Sequence, residues 1–417
     1  MIDERELGEP DPSPTDDETS ASADGESSWT GLVVTLVLLG MLGAWSLPLL
    51  GVVLAIVFFV FMHELGHFVT ARLTGMKVTE FFIGFGPRIF SFKRGETEFG
   101  LKPILAGAYV RIIGMNNIDE VDPADEARTY RRATYPRRVL VITAGSLMHF
   151  AMAVVLLFVY FGFIGEPTSI VNWSIDAPSP DSGAEAAGLE AGDIILSIDG
   201  AEIVTFTDLR TTVEVRGGQT VPIVIDRDGV VETLVTTIGE RTLEGEETTG
   251  FLGVGIADGF TLVRTTDSVP AAAQRAVTEL PTQIGRSLSG MVQIASNVGG
   301  IVDNVFTAPG NQDQIDLETR PVSIVGVADI SSRIGLDAIL FLATFNIFIG
   351  VFNLLPLLPL DGGHLAVATY ERIRSIGGKR HQVDVMKLLP LTYAVFMILV
   401  LFGLGALWLD LANPIQL

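Results

Sequence analysis

Five residues, His63-Glu64-Leu65-Gly66-His67, carry the most specific chemistry in the chain. The stretch that leads into them, Gly51 to Met62, has no charge at all. On a helix, His63 and His67 fall one turn apart on a single face, with Glu64 beside them. Two imidazoles at that spacing can hold a zinc ion, and the carboxylate can take a proton from the attacking water. Ionisable groups are costly in a bilayer, so three of them in a candidate membrane helix imply a function there. The combination points to peptide hydrolysis inside a membrane.

Zinc in a hydrolase usually keeps three protein ligands and one open position. Two come from His63 and His67. The remaining histidines are His149, His364 and His381. The best candidate for the third ligand is instead Asp361, in Asn353-Leu354-Leu355-Pro356-Leu357-Leu358-Pro359-Leu360-Asp361-Gly362-Gly363-His364. An aspartate after a proline-interrupted helix end, with two glycines behind it, can be turned inward toward a metal. Irregular backbone at membrane depth is tolerated only where protein or a water-filled cavity covers it.

The elements that must position these groups are read from apolar runs of about 20 residues. The chain has 417 residues, of which 48% are apolar. That is too apolar for an ordinary soluble enzyme and implies a polytopic α-helical membrane protein. Spans are expected near 30–47, 49–72, 139–163, 336–357 and 389–411, with Pro48 as the break between the first two. If 30–47 is re-entrant or interfacial, the count is four. There are no cysteines, which excludes disulfides and thiol catalysis. The net charge of −22 argues against nucleic acid as a partner. Residues 1–29 are rich in Asp, Glu, Ser and Pro, with Arg5 the only base. They read as a disordered acidic tail and lack the basic n-region of a signal peptide.

Basic residues set the expected orientation. Arg72 and Lys77 follow the second span, Arg128, Arg131, Arg132, Arg137 and Arg138 precede the third, and Arg372, Arg374, Lys379, Arg380 and Lys387 separate the last two. The positive-inside rule makes all three clusters cytoplasmic and places the acidic segment 164–335 opposite. His67 then lies near the cytoplasmic leaflet. The organisation that follows is a tail (1–29), spans with the histidine pair (30–73), a β-loop on the membrane (74–137), a span (138–163), a β-rich domain (168–240), a linker with an amphipathic helix (241–335) and C-terminal spans (336–412).

Within the β-loop, Arg88 to Lys93 alternates, Arg94-Gly95-Glu96 is a turn, Thr97 to Leu101 returns, and Gly107 to Ile112 adds another strand. One reading is a small sheet lying on the membrane. The sharper one is an exposed edge beside the site that pairs with an unwound substrate segment. In the β-rich domain, Gly188 to Gly200 resembles the signature of PDZ domains, with Ile194, Leu196 and Ile198 on one face and Asp199-Gly200 as a hairpin turn. Residues 270–305 read as helix interrupted at Pro281, with Ile284, Leu288, Met291 and Ile294 on a face.

On these residues the chain resembles the site-2 protease family of intramembrane zinc metalloproteases, in its bacterial, PDZ-containing branch. His63 to His67 matches the family's first motif and Asn353 to Gly363 its second, and the resemblance covers about residues 50–412. It implies a Zn2+ cofactor held by His63, His67 and Asp361, Glu64 as general base, and Asn353 as a residue that engages substrate. The segment Val78 to Met115 looks like the family's membrane-associated β-element, and Arg320 to Gly326 like the stretch before the fourth span.

The chain departs from the family at the start of the third span. Ala-Gly-Pro-x-x-Asn reads here Ala144-Gly145-Ser146-Leu147-Met148-His149, so His149 replaces an asparagine and becomes a second substrate-binding candidate. The family's Gly-Gly-aromatic element reads Gly107-Ala108-Tyr109. The resemblance implies an enzyme of the cell membrane that cuts single-span membrane proteins in regulated intramembrane proteolysis, of the anti-sigma factor or signal-peptide remnant type, after trimming by an upstream site-1 protease. The PDZ-like domain, on the extracytoplasmic side, would filter substrates or sense new chain ends. Two rivals are a catalytically inactive PDZ-bearing membrane adaptor and a metal transporter using the same three ligands.

Overall fold

The structure is a computed structural model that describes residues 29–115, 120–242, 248–257, 259–307, 320–376 and 381–412. The acidic tail, Lys379 and Arg380 lie outside the described residues. The chain forms two units, one from residues before Leu157 together with those after Ala276, the other from Leu157–Ala276.

The first unit begins with helix α1 (Trp29–Trp45) and helix α2 (Leu47–Leu73). Ser46 separates them, and its hydroxyl accepts from the Leu49 amide at 3.3 Å. The break falls at Ser46 rather than Pro48. Pro48 sits in the first turn of α2, where its missing N–H would have had no helical partner. A sheet follows, made of β1 (Val78–Phe85), β2 (Phe90–Arg94), β3 (Thr97–Leu101) and β4 (Ile104–Ile112). Its order is β2-β3-β1-β4, with β1 parallel to β3 and antiparallel to β4. The hairpin expected around Gly95 is present, with Arg94 opposite Thr97. β4 is an edge strand, paired on one side only among the described residues. Phe68 of α2 meets Phe81 and Phe99 edge-on, with centroids 5.5 and 5.4 Å apart, which ties the sheet to the helix. Helix α3 (Tyr135–Val159) ends in a π-turn over Tyr160–Ile164.

The second unit is β-rich. It contains β5 (Glu166–Val171), a short helix α4 (Gly183–Ala186), β6 (Ile194–Ile198), β7 (Ala201–Glu202), α5 (Phe206–Glu214), β8 (Thr220–Arg227), β9 (Val230–Thr237), β10 (Gly239–Arg241), β11 (Thr249–Phe251) and β12 (Thr261–Thr265). The main sheet runs β7-β6-β8-β9, β5 pairs with β12, and β10 pairs with β11. Asp199 and Gly200 make the expected hairpin turn, both with positive φ. The expected face of Ile194, Leu196 and Ile198 is not the one that packs. Ile195 and Ile198 are buried while Ile194 is exposed. A register shift between Ile195 and Ser197 swaps the faces within the strand.

Helix α6 (Val269–Ser296) runs through Pro281 without ending there, and α7 (Val298–Thr307) follows after one residue. Then come α8 (Ile324–Arg333), α9 (Ala338–Asn353), α10 (Asp361–Arg374) and α11 (Leu389–Ala412). Val327 and Ala328 of α8 pack on Leu49 and Val52 of α2. A buried ion pair fastens the segment before α8 to the end of α11: Arg320 Nη2 donates to Asp410 Oδ1 at 3.0 Å, and the Ser323 amide donates to Asp410 Oδ2 at 2.6 Å.

Among the described residues, four stretches are long and apolar enough to cross a membrane: Leu47–Leu73, Tyr135–Ile164, Gly335–Asn353 and Met386–Ala412. Helix α1, with 17 residues, is about 25 Å long, short of the roughly 30 Å hydrocarbon core unless the bilayer thins around it.

Candidate metal centre

The two motifs meet where α2, α3 and the start of α10 converge. His63 and His67 project from one face of α2, both buried, with their Nε2 atoms 3.0 Å apart. Asp361 Oδ2 lies 3.2 Å from His63 Nε2 and 3.3 Å from His67 Nε2. These three form the cluster with metal-ligand spacing among the described residues. Tetrahedral zinc with bonds of about 2.0–2.1 Å has donor–donor edges of about 3.3 Å, so the triangle has the size the ion requires. Asp361 Oδ2 is buried without a hydrogen-bond partner, and a cation is what satisfies such an oxygen.

Orientation comes from the surroundings. His67 Nδ1 lies 2.7 Å from the Val141 carbonyl of α3. A carbonyl only accepts, so Nδ1 carries the hydrogen and Nε2 presents its lone pair to the triangle. Gly145 allows α3 to lie against the pair: a Cβ there would fall 2.6 Å from His63 Nε2 and 2.5 Å from His67 Nε2. Asp361 is the first residue of α10. The turn before it is so tight that a Cβ on Gly362 would collide with the carbonyls of Leu354 and Leu355. Two polar contacts hold α10 on α3, Tyr135 to Thr369 at 3.1 Å and Arg138 to Glu371 at 2.7 Å.

Glu64 stands half-buried beside His63, with the Val110 amide of edge strand β4 close to its carboxylate. His149 is fully buried on α3, its ring centroid 5.1 Å from that of His63 but outside the three-donor cluster. Asn353 is the half-buried last residue of α9, and no hydrogen bond joins it to the cluster among the described residues. His364 lines a cavity with Tyr130, Arg138 and Glu371. The His381 ring packs against Tyr370 at 5.8 Å.

Three contributors escaped sequence reasoning. The Val141 carbonyl is backbone and leaves no side-chain signal. The Val110 amide is hidden for the same reason. Asn346, which pairs with His149, lies in the expected span 336–357; an amide amid apolar residues, seven positions before Asn353, was the available signal.

On the sheet, Tyr109 of β4 donates to Glu80 of β1 at 2.7 Å. Burial, then this contact, pushes the Tyr109 hydroxyl above its ordinary value. Burial raises Glu80 too, but donation from Tyr109 and Arg111 outweighs it and leaves the carboxyl below the usual range.

A His-x-x-x-His pair on a membrane-length helix, closed by an inward-turned aspartate from the start of α10, defines a metallohydrolase arrangement in a chain with membrane-length helices. Comparison with known proteins agrees. The family model described as "Peptidase family M50" matches residues 51–400. The chain is 32% identical over 400 residues to the zinc metalloprotease Rip1 of Mycobacterium tuberculosis (strain ATCC 25618 / H37Rv), covering 87% of this chain and 97% of that protein. It is 32% identical over 404 residues to Rip1 of Mycolicibacterium smegmatis. A putative zinc metalloprotease of Clostridium perfringens is 30% identical over 324 residues, covering 75% of this chain and 85% of that protein. The chain belongs to peptidase family M50, the site-2 protease family of zinc metalloproteases.

Proposed function

We propose that this zinc metalloprotease cuts the membrane-spanning segment of single-span membrane proteins, with His63, His67 and Asp361 as the metal ligands and Glu64 as general base. The observation that carries the reading is the triangle of donor atoms, 3.0–3.3 Å on each side, assembled from two motifs almost 300 residues apart. A bound zinc supplies Lewis-acid polarisation of the scissile carbonyl and of the attacking water. Glu64 takes the proton from that water and returns it to the leaving nitrogen. The Val110 amide lies beside the Glu64 carboxylate, and the Val141 carbonyl fixes the His67 tautomer.

Hydrolysis needs extended backbone, and a membrane-spanning helix must unwind to supply it. The free side of β4 offers main-chain donors and acceptors to such a segment by strand addition. Because Val110 of β4 touches Glu64, a strand added there runs past the general base. Asn353 and His149 are the side chains assigned to substrate engagement. The β-rich unit acts as a PDZ-like domain that screens substrates for size or captures new chain ends; its Asp199-Gly200 hairpin and buried isoleucine core are compatible with that. The basic clusters around Arg72, Arg138 and Arg372 support an orientation with the metal near the cytoplasmic leaflet and residues 168–240 on the extracytoplasmic side. Substrates of the anti-sigma factor or signal-peptide remnant kind, trimmed first by a site-1 protease, fit this topology.

The test is the position of the cut. Products of a truncated single-span reporter, made in membranes containing the protein, are sized by mass spectrometry. A cleavage inside the apolar segment is expected. A cut confined to the flanking polar sequence would contradict the reading.

A further inference from the structure

Two polar side chains, one on α3 and one on α9, are buried against each other, and their contacts fix where each hydrogen sits. His149 on α3 is 1% exposed and Asn346 on α9 is 0% exposed. Asn346 Nδ2 donates to the His149 backbone carbonyl at 2.8 Å. A carbonyl oxygen only accepts, so this contact assigns the amide: the nitrogen faces the α3 backbone and Oδ1 faces the imidazole. Oδ1 lies 2.6 Å from His149 Nδ1. An amide oxygen also only accepts, so Nδ1 carries the hydrogen. In the neutral ring that leaves a bare lone pair on Nε2.

This imidazole lies at the metal centre without belonging to it. Residue 149 follows Gly145 by one helical turn, and Gly145 is the floor on which His63 and His67 rest. The ring centroids of His149 and His63 are 5.1 Å apart, yet the three-donor cluster closes without His149. An unwound substrate segment brings unpaired backbone N–H groups to this depth, and an N–H left unsatisfied away from water is costly. A lone pair held in one orientation meets that need.

We propose that His149 is a substrate-positioning residue: Asn346 holds it as the Nδ1–H tautomer, and its Nε2 accepts a hydrogen bond from a backbone N–H of the unwound segment. This rests on the reading of the protein as an intramembrane peptidase. An asparagine at this position would offer a donor and an acceptor together. His149 in this tautomer offers an acceptor alone, so it sorts backbone N–H from C=O and sets the register of the segment over the site.

The tautomer is read directly. Full-length protein labelled with 15N-histidine, in nanodiscs, gives separate nitrogen resonances for protonated and bare ring positions. His149→Asn identifies the His149 signals by their loss. The expected result is Nδ1 protonated and Nε2 bare, with and without zinc. In Asn346→Leu the ring should divide between tautomers, and cleavage of a single-span reporter should fall about tenfold in kcat/KM, the size of one lost hydrogen bond, with zinc content unchanged. If Asn346→Leu does not fold, Asn346→Ser serves for the same comparison. A proton on Nε2 overturns the inference and leaves the peptidase reading standing, because no turnover enters that measurement. A shift of Nε2 to a metal-bound value on adding zinc also overturns it, by making His149 a ligand. The expected tautomer in a wild type that cleaves no reporter would overturn the peptidase reading and the proposed role with it.

Discussion

Gly145→Ala is the smallest change that should damage the metal centre without touching a ligand. The added methyl would sit 2.5 Å from His67 Nε2 and 2.6 Å from His63 Nε2, where ordinary contact begins at 3.4 Å. Either α3 backs away or the imidazoles retreat by nearly an ångström. The imidazoles are not free to move: the Val141 carbonyl holds His67, and Asp361 lies against both Nε2 atoms. Metal–ligand distances tolerate about 0.2 Å. Overpacking of this kind costs about 1–3 kcal/mol. If the metal site absorbs it, zinc affinity falls by about five- to a hundredfold, at 1.4 kcal/mol per factor of ten. The assay is chelator competition for zinc in detergent, with thermal unfolding of the metal-free protein alongside. Gly51→Ala is the control, since a Cβ at Gly51 meets nothing within 4 Å and alanine favours the helix. Zinc affinity in Gly145→Ala indistinguishable from that of Gly51→Ala would refute the packing argument.

Other expectations follow from the same geometry. Asp410→Ala removes the carboxylate paired with the Arg320 guanidinium, and both side chains are nearly inaccessible, 2% and 3% exposed; thermal unfolding should show a loss of about 3–5 kcal/mol, largely restored when Arg320→Met is added to Asp410→Leu. Arg138→Ala removes a tie between α3 and α10, so it should lower both the unfolding temperature and zinc affinity, the latter read by chelator competition. Donation from Arg131, then Arg132, pulls the Glu126 carboxyl from 4.5 to about 2. Because the folded value is the lower one, its contribution is present above about pH 4.5 and is lost as pH falls toward 2. Hydrogen exchange over residues 120–132 should therefore rise in that window, and Glu126→Gln should remove the dependence.

Much of the site was legible because its chemistry is local in sequence. The spacing of His63 and His67 needs only a helix to bring the rings together, and α2 supplies it. Asp361 was legible from the prolines and glycines around it, which mark a turn that an apolar span does not otherwise contain. What joins the two motifs was not legible, because it is tertiary: the Val141 carbonyl and the Arg138–Glu371 pair act across helices. In the sheet, the hairpin at Gly95 announced itself through alternation and turn residues. Strand β1 did not, since Phe81, Phe82 and Ile83 are consecutive and apolar; Phe81 and Phe82 point to opposite faces and both are buried, and a strand covered on both faces needs no alternation. The packed face of β6 departs from strict alternation for a different reason. Strict alternation assumes an unbroken ladder, and the irregularity after Ile195 breaks it.

The central claim is that zinc held by the two motifs works with Glu64 as the general base. Its most direct test compares wild type with Glu64→Gln for bound zinc and for cleavage of a single-span reporter in membranes. The account predicts equal zinc in the two proteins, cleavage by wild type, and cleavage by Glu64→Gln reduced to background. Undiminished cleavage by Glu64→Gln, with zinc bound, would contradict it.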